Sequence, residues 1–119
     1  MIRYLNCLKK KSEITSEDFR EFWNDAAFNE LISEVANLSK AIRYTKDLVL
    51  QVEMGDRLLR DRGMSEPCDG VIEYYWESAA GLESLYETTQ GQDLLGRIDH
   101  YQSQFIDLAR STAFFTECE

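Results

Sequence analysis

One proline, one histidine and six glycines stand in the whole chain, and each scarcity removes a class of protein. So little proline and glycine excludes a collagen-like or low-complexity chain, and no internal repeat or linker breaks the sequence. The lone histidine, His100, has no cysteine or carboxylate at ligand spacing, which makes a poor zinc or non-haem iron site. Cys7, Cys68 and Cys118 are odd in number and widely spaced, against both a disulfide framework and a CxxC metal clip, so reduced thiols are expected. Nowhere do about eighteen apolar residues run together, and no membrane-spanning helix is expected. The opening "MIRYLNCLKKK" shows no basic leader followed by an apolar stretch; a cytoplasmic protein is expected, in which the sequon Asn37-Leu38-Ser39 would stay unmodified.

Positive charge is scarce as well. Thirteen Lys and Arg against 22 Asp and Glu leave a formal charge of -9, so phosphate backbones and anionic membrane surfaces repel the chain at long range. Neither nucleic acid nor a membrane is an expected partner. The only basic cluster, Lys9-Lys10-Lys11, is too short to reverse that field and reads as a solvated strand end.

What is present is a globular composition, 44% hydrophobic and 29% charged over 119 residues, enough for one domain spanning residues 1–119. Ile2 to Lys9 suits a pleated surface, with Ile2, Tyr4, Asn6 and Leu8 on one face and Arg3, Leu5 and Cys7 on the other. Thr15 or Ser16 then opens an amphipathic helical stretch running to Leu38, one long helix or two joined by a bend near Asn29. Ala41 to Val52 reads as a second strand, interrupted near Asp47. The charged stretch after it reads as an exposed connection with a helical turn at Asp56 to Arg60. Val71 to Glu77 is the third strand; Ser78 caps a second helical region that Gly91 divides; Ser111 to Glu117 is the fourth strand.

The order β, α, β, β, α, β is the split βαβ pattern: an α+β, ferredoxin-like protomer with a four-stranded antiparallel sheet and helices on one face. In the third strand Ile72, Tyr74 and Trp76 fall on one side and Val71, Glu73 and Tyr75 on the other, so neither side is plainly polar. A sheet face that no helix covers predicts a homodimer packed sheet against sheet.

The segments "MIRYLNCLKKK", "FREFW" (19–23), "AIRY" (41–44), "DGVIEYYW" (69–76) and "FIDLARSTAFFTE" (105–117), in that order and over nearly the whole chain, resemble the EthD family of the dimeric α/β-barrel superfamily. That resemblance implies two sheets meeting as a barrel and a small-molecule cavity between sheet and helices. Similar proteins include one associated with fuel-ether degradation and fungal enzymes that dehydrate or decarboxylate polyketide intermediates. Many such sequences carry a histidine about four residues after the first-helix tryptophan. Here Ala27 stands in its place, so no acid-base role transfers to that position.

Among the chain's own residues, Glu73 is the first catalytic candidate, because a carboxylate between Val71 and Tyr75 on one strand face would be partly desolvated and its pKa raised toward the proton-transfer range. The alternative is that Glu73 sits at an exposed edge or pairs with an arginine such as Arg43. His100 is the second candidate, a group that titrates near neutrality, set against a simply solvated helix histidine. Asn6, Tyr44 and Tyr75 are hydrogen-bond donors suited to an enolate or phenolate. Trp23, with Phe19, Phe22, Tyr74 and Trp76, makes an aromatic wall for a flat apolar or aromatic ligand, set against simple core packing for most of the five, and Trp23 and Arg43 complete the ligand-binding candidates. No cofactor is expected, with haem held by His100 alone as a lesser alternative. The expected function is cofactor-independent proton transfer (dehydration, decarboxylation, cyclisation or isomerisation) on an aromatic or polyketide-like carbonyl compound. The rival is a non-catalytic protein that binds a hydrophobic ligand or assists an oxygenase.

Overall fold

From Gly70 to Trp76 the chain forms an inner strand, β3, of a four-stranded sheet in a computed structural model that describes residues 1–118. The elements in order are β1 (Ile2–Leu8), α1 (Ser16–Asn24), α2 (Ala26–Leu38), β2 (Arg43–Leu48), α3 (Glu53–Arg62), β3, α4 (Ala80–Tyr86), α5 (Thr89–Gln102) and β4 (Thr112–Glu117), with a 3-10 turn at Leu108–Arg110. The strands lie in the order β2-β3-β1-β4, every neighbour antiparallel. This is the ferredoxin-like α+β fold.

Local chemistry sets the boundaries. Thr15 Oγ1 accepts the backbone N–H of Asp18 at 3.0 Å and starts α1. Asp25 is extended, and its Oδ1 accepts the N–H of Ala27 at 2.8 Å, so one residue ends α1 and caps α2. The helical stretch is therefore two helices, broken at Asp25 rather than near Asn29. Strand β2 ends at Leu48, short of Val52, and the single turn expected beyond it is a full helix, α3. In the second helical region the break falls at Glu87 and Thr88, where Thr88 Oγ1 accepts the N–H of Gly91 at 3.0 Å. Gly91 thus lies inside the first turn of α5 instead of dividing it. A Cβ there would come 2.2 Å from the carbonyl oxygen of Leu85, so the close approach of α4 to α5 is what requires glycine.

Pairing fixes the two sheet faces. Ile2 pairs with Trp76, Tyr4 with Tyr74 and Asn6 with Ile72, while Tyr44 and Lys46 on β2 stand beside Tyr74 and Ile72. These residues face the helices, where Ile72, Tyr74 and Trp76 are buried with Ile32, Val35, Leu85, Leu94 and Ile98. At one end of this layer an aromatic cluster closes: the Phe19 and Trp23 rings stack at 5.4 Å, Phe22 and Phe105 at 5.0 Å, and Phe28 and Tyr101 at 5.1 Å. Each aromatic ring buries a large apolar area and holds its neighbours in offset geometry.

The opposite face carries Arg3, Leu5 and Cys7 on β1, Arg43, Thr45 and Asp47 on β2, Val71, Glu73 and Tyr75 on β3, and Thr112, Phe114 and Thr116 on β4. Helix α3 buries none of its residues and leaves Met54 and Leu58 exposed. The radius of gyration, 15.3 Å, exceeds the roughly 13.5 Å of a compact chain of this length. No helix among the described residues is long and apolar enough to cross a membrane.

Candidate functional site

Between the helix-covered sheet face and helices α2, α4 and α5 lies a cavity of about 290 Å³. Its floor is Tyr4 and Asn6 of β1, Ile72, Tyr74 and Trp76 of β3, and Phe115 of β4; its roof is Ile32, Val35, Leu82, Leu85, Leu95 and Ile98; and Tyr86, Asp99 and Gln102 add polar groups. Strand alternation places the floor residues together, since every second residue of β1 and β3 points inward and the register aligns them. The walls are aromatic in contact: Tyr74 and Trp76 stack at 5.8 Å, and Tyr4 lies 4.6 Å from Phe115.

The polar groups in this cavity are neutral or at its edge. Burial pushes the Tyr74 phenol well above its ordinary value of 10.0, and the neighbouring Tyr44 and Tyr4 add to the shift. Tyr4 moves in the same direction, through burial first and Tyr86 second. Both phenols are therefore hydrogen-bond donors rather than phenolates across the physiological range. The Asn6 amide donates to the carbonyl of Ile72 at 3.3 Å, which leaves its oxygen as an acceptor. Asp99 and Tyr86 are exposed and mark the mouth. Trp76 is held in place by its indole N–H, which donates to Ser39 Oγ at 2.9 Å; that hydroxyl in turn donates to the Val35 carbonyl at 2.7 Å.

Of the candidate site residues named from sequence, Asn6, Tyr74 and Trp76 line this cavity. Glu73 and Tyr75 project from the other face of β3, where the Tyr75 hydroxyl donates to Glu73 Oε2 at 2.5 Å. Arg43 does not pair with Glu73; its guanidinium lies 4.2 Å over the Tyr75 ring. Tyr44 stands on the inward side of edge strand β2, its ring 6.3 Å from Tyr74, and is partly exposed. Trp23 sits in the closed aromatic cluster, where Lys46 Nζ bonds its carbonyl oxygen and lies 5.2 Å over its ring. His100 is exposed on the outer surface, in an open groove between α2 and α5 lined also by Glu30, Asp93 and Arg97. Glu73 and His100 are thus on opposite sides of the molecule's helix–sheet layer, and neither reaches the cavity.

Sequence reasoning missed Gln102, which is 9% exposed and lines the cavity. The signal was there: Leu94, Ile98 and Gln102 follow one another at four-residue spacing, so a polar amide ends an otherwise apolar stripe. Among the described residues no three His, Cys, Asp or Glu side chains converge as a metal-ligand group.

No protein-family model matches the chain, and no curated protein matches it. Solved structures do. A dimeric protein of unknown function with a ferredoxin-like fold, from Bacteroides fragilis, superposes with a TM-score of 0.64 at 8% identity, covering 98% of this chain and 95% of that one. A protein described as a candidate antibiotic biosynthesis monooxygenase, from Deinococcus radiodurans, does so with a TM-score of 0.51 at 12% identity, covering 100% and 93%. At such identities the likeness is one of fold.

Proposed function

We propose that this chain is a small-molecule-binding protein of the EthD-like type that holds an apolar, aromatic ligand in the cavity between its sheet and helices. The observation that carries this reading is a built cavity: aromatic walls, an apolar roof, and a few polar groups, Asn6, Gln102, Tyr86 and Asp99, in its lining. A protein with a merely structural, closed core has no use for such a void. At about 290 Å³ the space is roughly twice the 150 Å³ that admits benzene, which suits one or two fused rings.

A second copy covers the open sheet face. Leu5, Val71 and Phe114 supply apolar surface there, and the dimeric state of the Bacteroides fragilis protein of the same fold supports it. The copies meet sheet to sheet, with Glu73, Tyr75 and Arg43 inside the contact rather than at the ligand.

Proton-transfer catalysis is the second reading, favoured by one observation: Asp99 places a carboxyl group at the mouth of a cavity that is also lined by phenols that burial keeps protonated. Native mass spectrometry of freshly purified protein, followed by turnover assays on any ligand found, separates the two. Tight binding without conversion selects the binding protein; conversion abolished by Asp99→Asn selects the enzyme. Glu73→Gln and His100→Ala are expected to leave ligand binding unchanged in either case, and a loss of binding in both variants would move the site away from this cavity.

A further inference from the structure

Gln102 is 91% buried by its 9% residual exposure, and it closes one wall of the cavity from the last turn of α5. Its backbone carbonyl is occupied, accepting the N–H groups of Phe105 and Ile106 at 3.1 and 2.8 Å. Its side-chain amide bonds no protein group among the described residues, and it is not sealed in the core either, since the only sealed side-chain atom without a partner among them is Thr45 Oγ1. The amide therefore opens onto the void. With no protein partner, that amide is left to bond a water or the oxygen of a ligand that displaces it.

The charge around it is equally restrictive. No lysine, arginine or histidine lines the cavity, its two innermost phenols stay neutral, and its one acidic side chain is Asp99 at the mouth. An anionic ligand would lose its hydration with no cation to replace it and would meet a like charge on entry.

We propose that Gln102 is the specificity residue of this cavity, selecting neutral one- or two-ring aromatic ligands that carry a carbonyl or phenol oxygen and rejecting aromatic carboxylates. The proposal rests on the cavity reading above and adds to it which polar group is recognised, and by what. The Gln102 amide N–H donates to the ligand oxygen, and where that oxygen is a phenol its proton has an acceptor in the free oxygen of Asn6.

The test is titration calorimetry of the full chain with three probes of one size: naphthalene, naphthol and naphthoate. Wild-type protein is expected to bind naphthol about tenfold more tightly than naphthalene, the worth of one good hydrogen bond, and naphthoate at least as weakly as naphthalene. Gln102→Leu is expected to erase the naphthol preference while naphthalene affinity holds or improves. Gln102→Met serves as a second apolar replacement should the first misfold. A naphthol preference that survives both variants, or naphthoate bound as tightly as naphthol, overturns the proposal while leaving the cavity reading in place. Failure of all three probes to bind overturns both.

Discussion

Replacing Ser39 by alanine removes one oxygen atom, and the structure says what that should cost. Ser39 is fully buried, and its hydroxyl accepts the Trp76 indole N–H at 2.9 Å while donating to the Val35 carbonyl at 2.7 Å. The two losses are unequal. The Val35 carbonyl keeps the backbone N–H of Ser39 at 3.0 Å and stays satisfied. The indole N–H, on a side chain that is itself buried, keeps nothing. An orphaned buried donor costs about 1–3 kcal/mol, which at this size lowers the melting temperature by about 4 °C per kcal/mol. The orphan disappears if Trp76 is also changed to phenylalanine, so the double variant should be less destabilised than the two singles sum to, by about 1–2 kcal/mol. Urea unfolding followed by far-ultraviolet circular dichroism measures all four proteins without relying on the tryptophan signal. Additivity within about 0.5 kcal/mol would refute the reasoning, because it would mean that the two groups do not depend on each other.

The remaining predictions concern other parts of the molecule. Gly81→Ala would place a Cβ 1.8 Å from the carbonyl oxygen of Ser39; expected destabilisation is at least about 3 kcal/mol, and a variant as stable as wild type in the same urea assay shows the contact to be looser than described. Tyr74 has a folded-state pKa raised above its ordinary 10.0 by burial, so its contribution to stability is fully present below pH 10.0 and is lost as the pH climbs above it. Lys46, lowered from 10.5 by burial, works in the opposite sense, since the fold favours its neutral form and gains stability as the pH rises toward that value. Tyr74→Phe should accordingly flatten the alkaline fall in stability, and phenolate absorbance of the native chain should lose part of its rise above pH 10.0 in that variant; an unchanged absorbance curve above that pH contradicts this. Phe114→Lys, on the open face, tests the proposed sheet-to-sheet pairing: the variant should sediment as a folded monomer and the wild type as a dimer, while a dimer unchanged by the substitution moves the interface elsewhere.

Much of the fold was legible because alternation and helical spacing are direct images of burial. The residues of β1 and β3 divide between the two faces as the sequence divides them, with Asn6 beside Tyr4 and Glu73 beside Tyr75. Helix boundaries were less legible, because Asp25 and Thr88 act through side-chain oxygens on the backbone N–H groups of Ala27 and Gly91, a local competition that leaves hydrophobic periodicity almost untouched. The site was the least legible part. Glu73 drew attention as a carboxylate in an apolar strand, yet which face of β3 the helices cover is decided by pairing with β1 and by packing against α2, α4 and α5, and a single strand does not encode it. Chemical interest and position were thus separable: the residues with the most reactive side chains, Glu73 and His100, lie outside, and the wall of the cavity is built from tyrosine, tryptophan and an amide.

The contact of Gly81 with Ser39 is one of two that fix the upper wall of the cavity. Helix α4 is seven residues long and contributes Leu82, Leu85 and Tyr86 to the lining. Its first turn is pressed against the chain leaving α2, and its last against the start of α5, where Gly91 meets the carbonyl of Leu85 and the Gln92 amide donates to the carbonyl of Tyr86 at 3.2 Å. A segment clamped at both ends holds its side chains at a set height above the sheet, so the size of guest the cavity admits is governed by the bulk of Leu82, Leu85 and Tyr86.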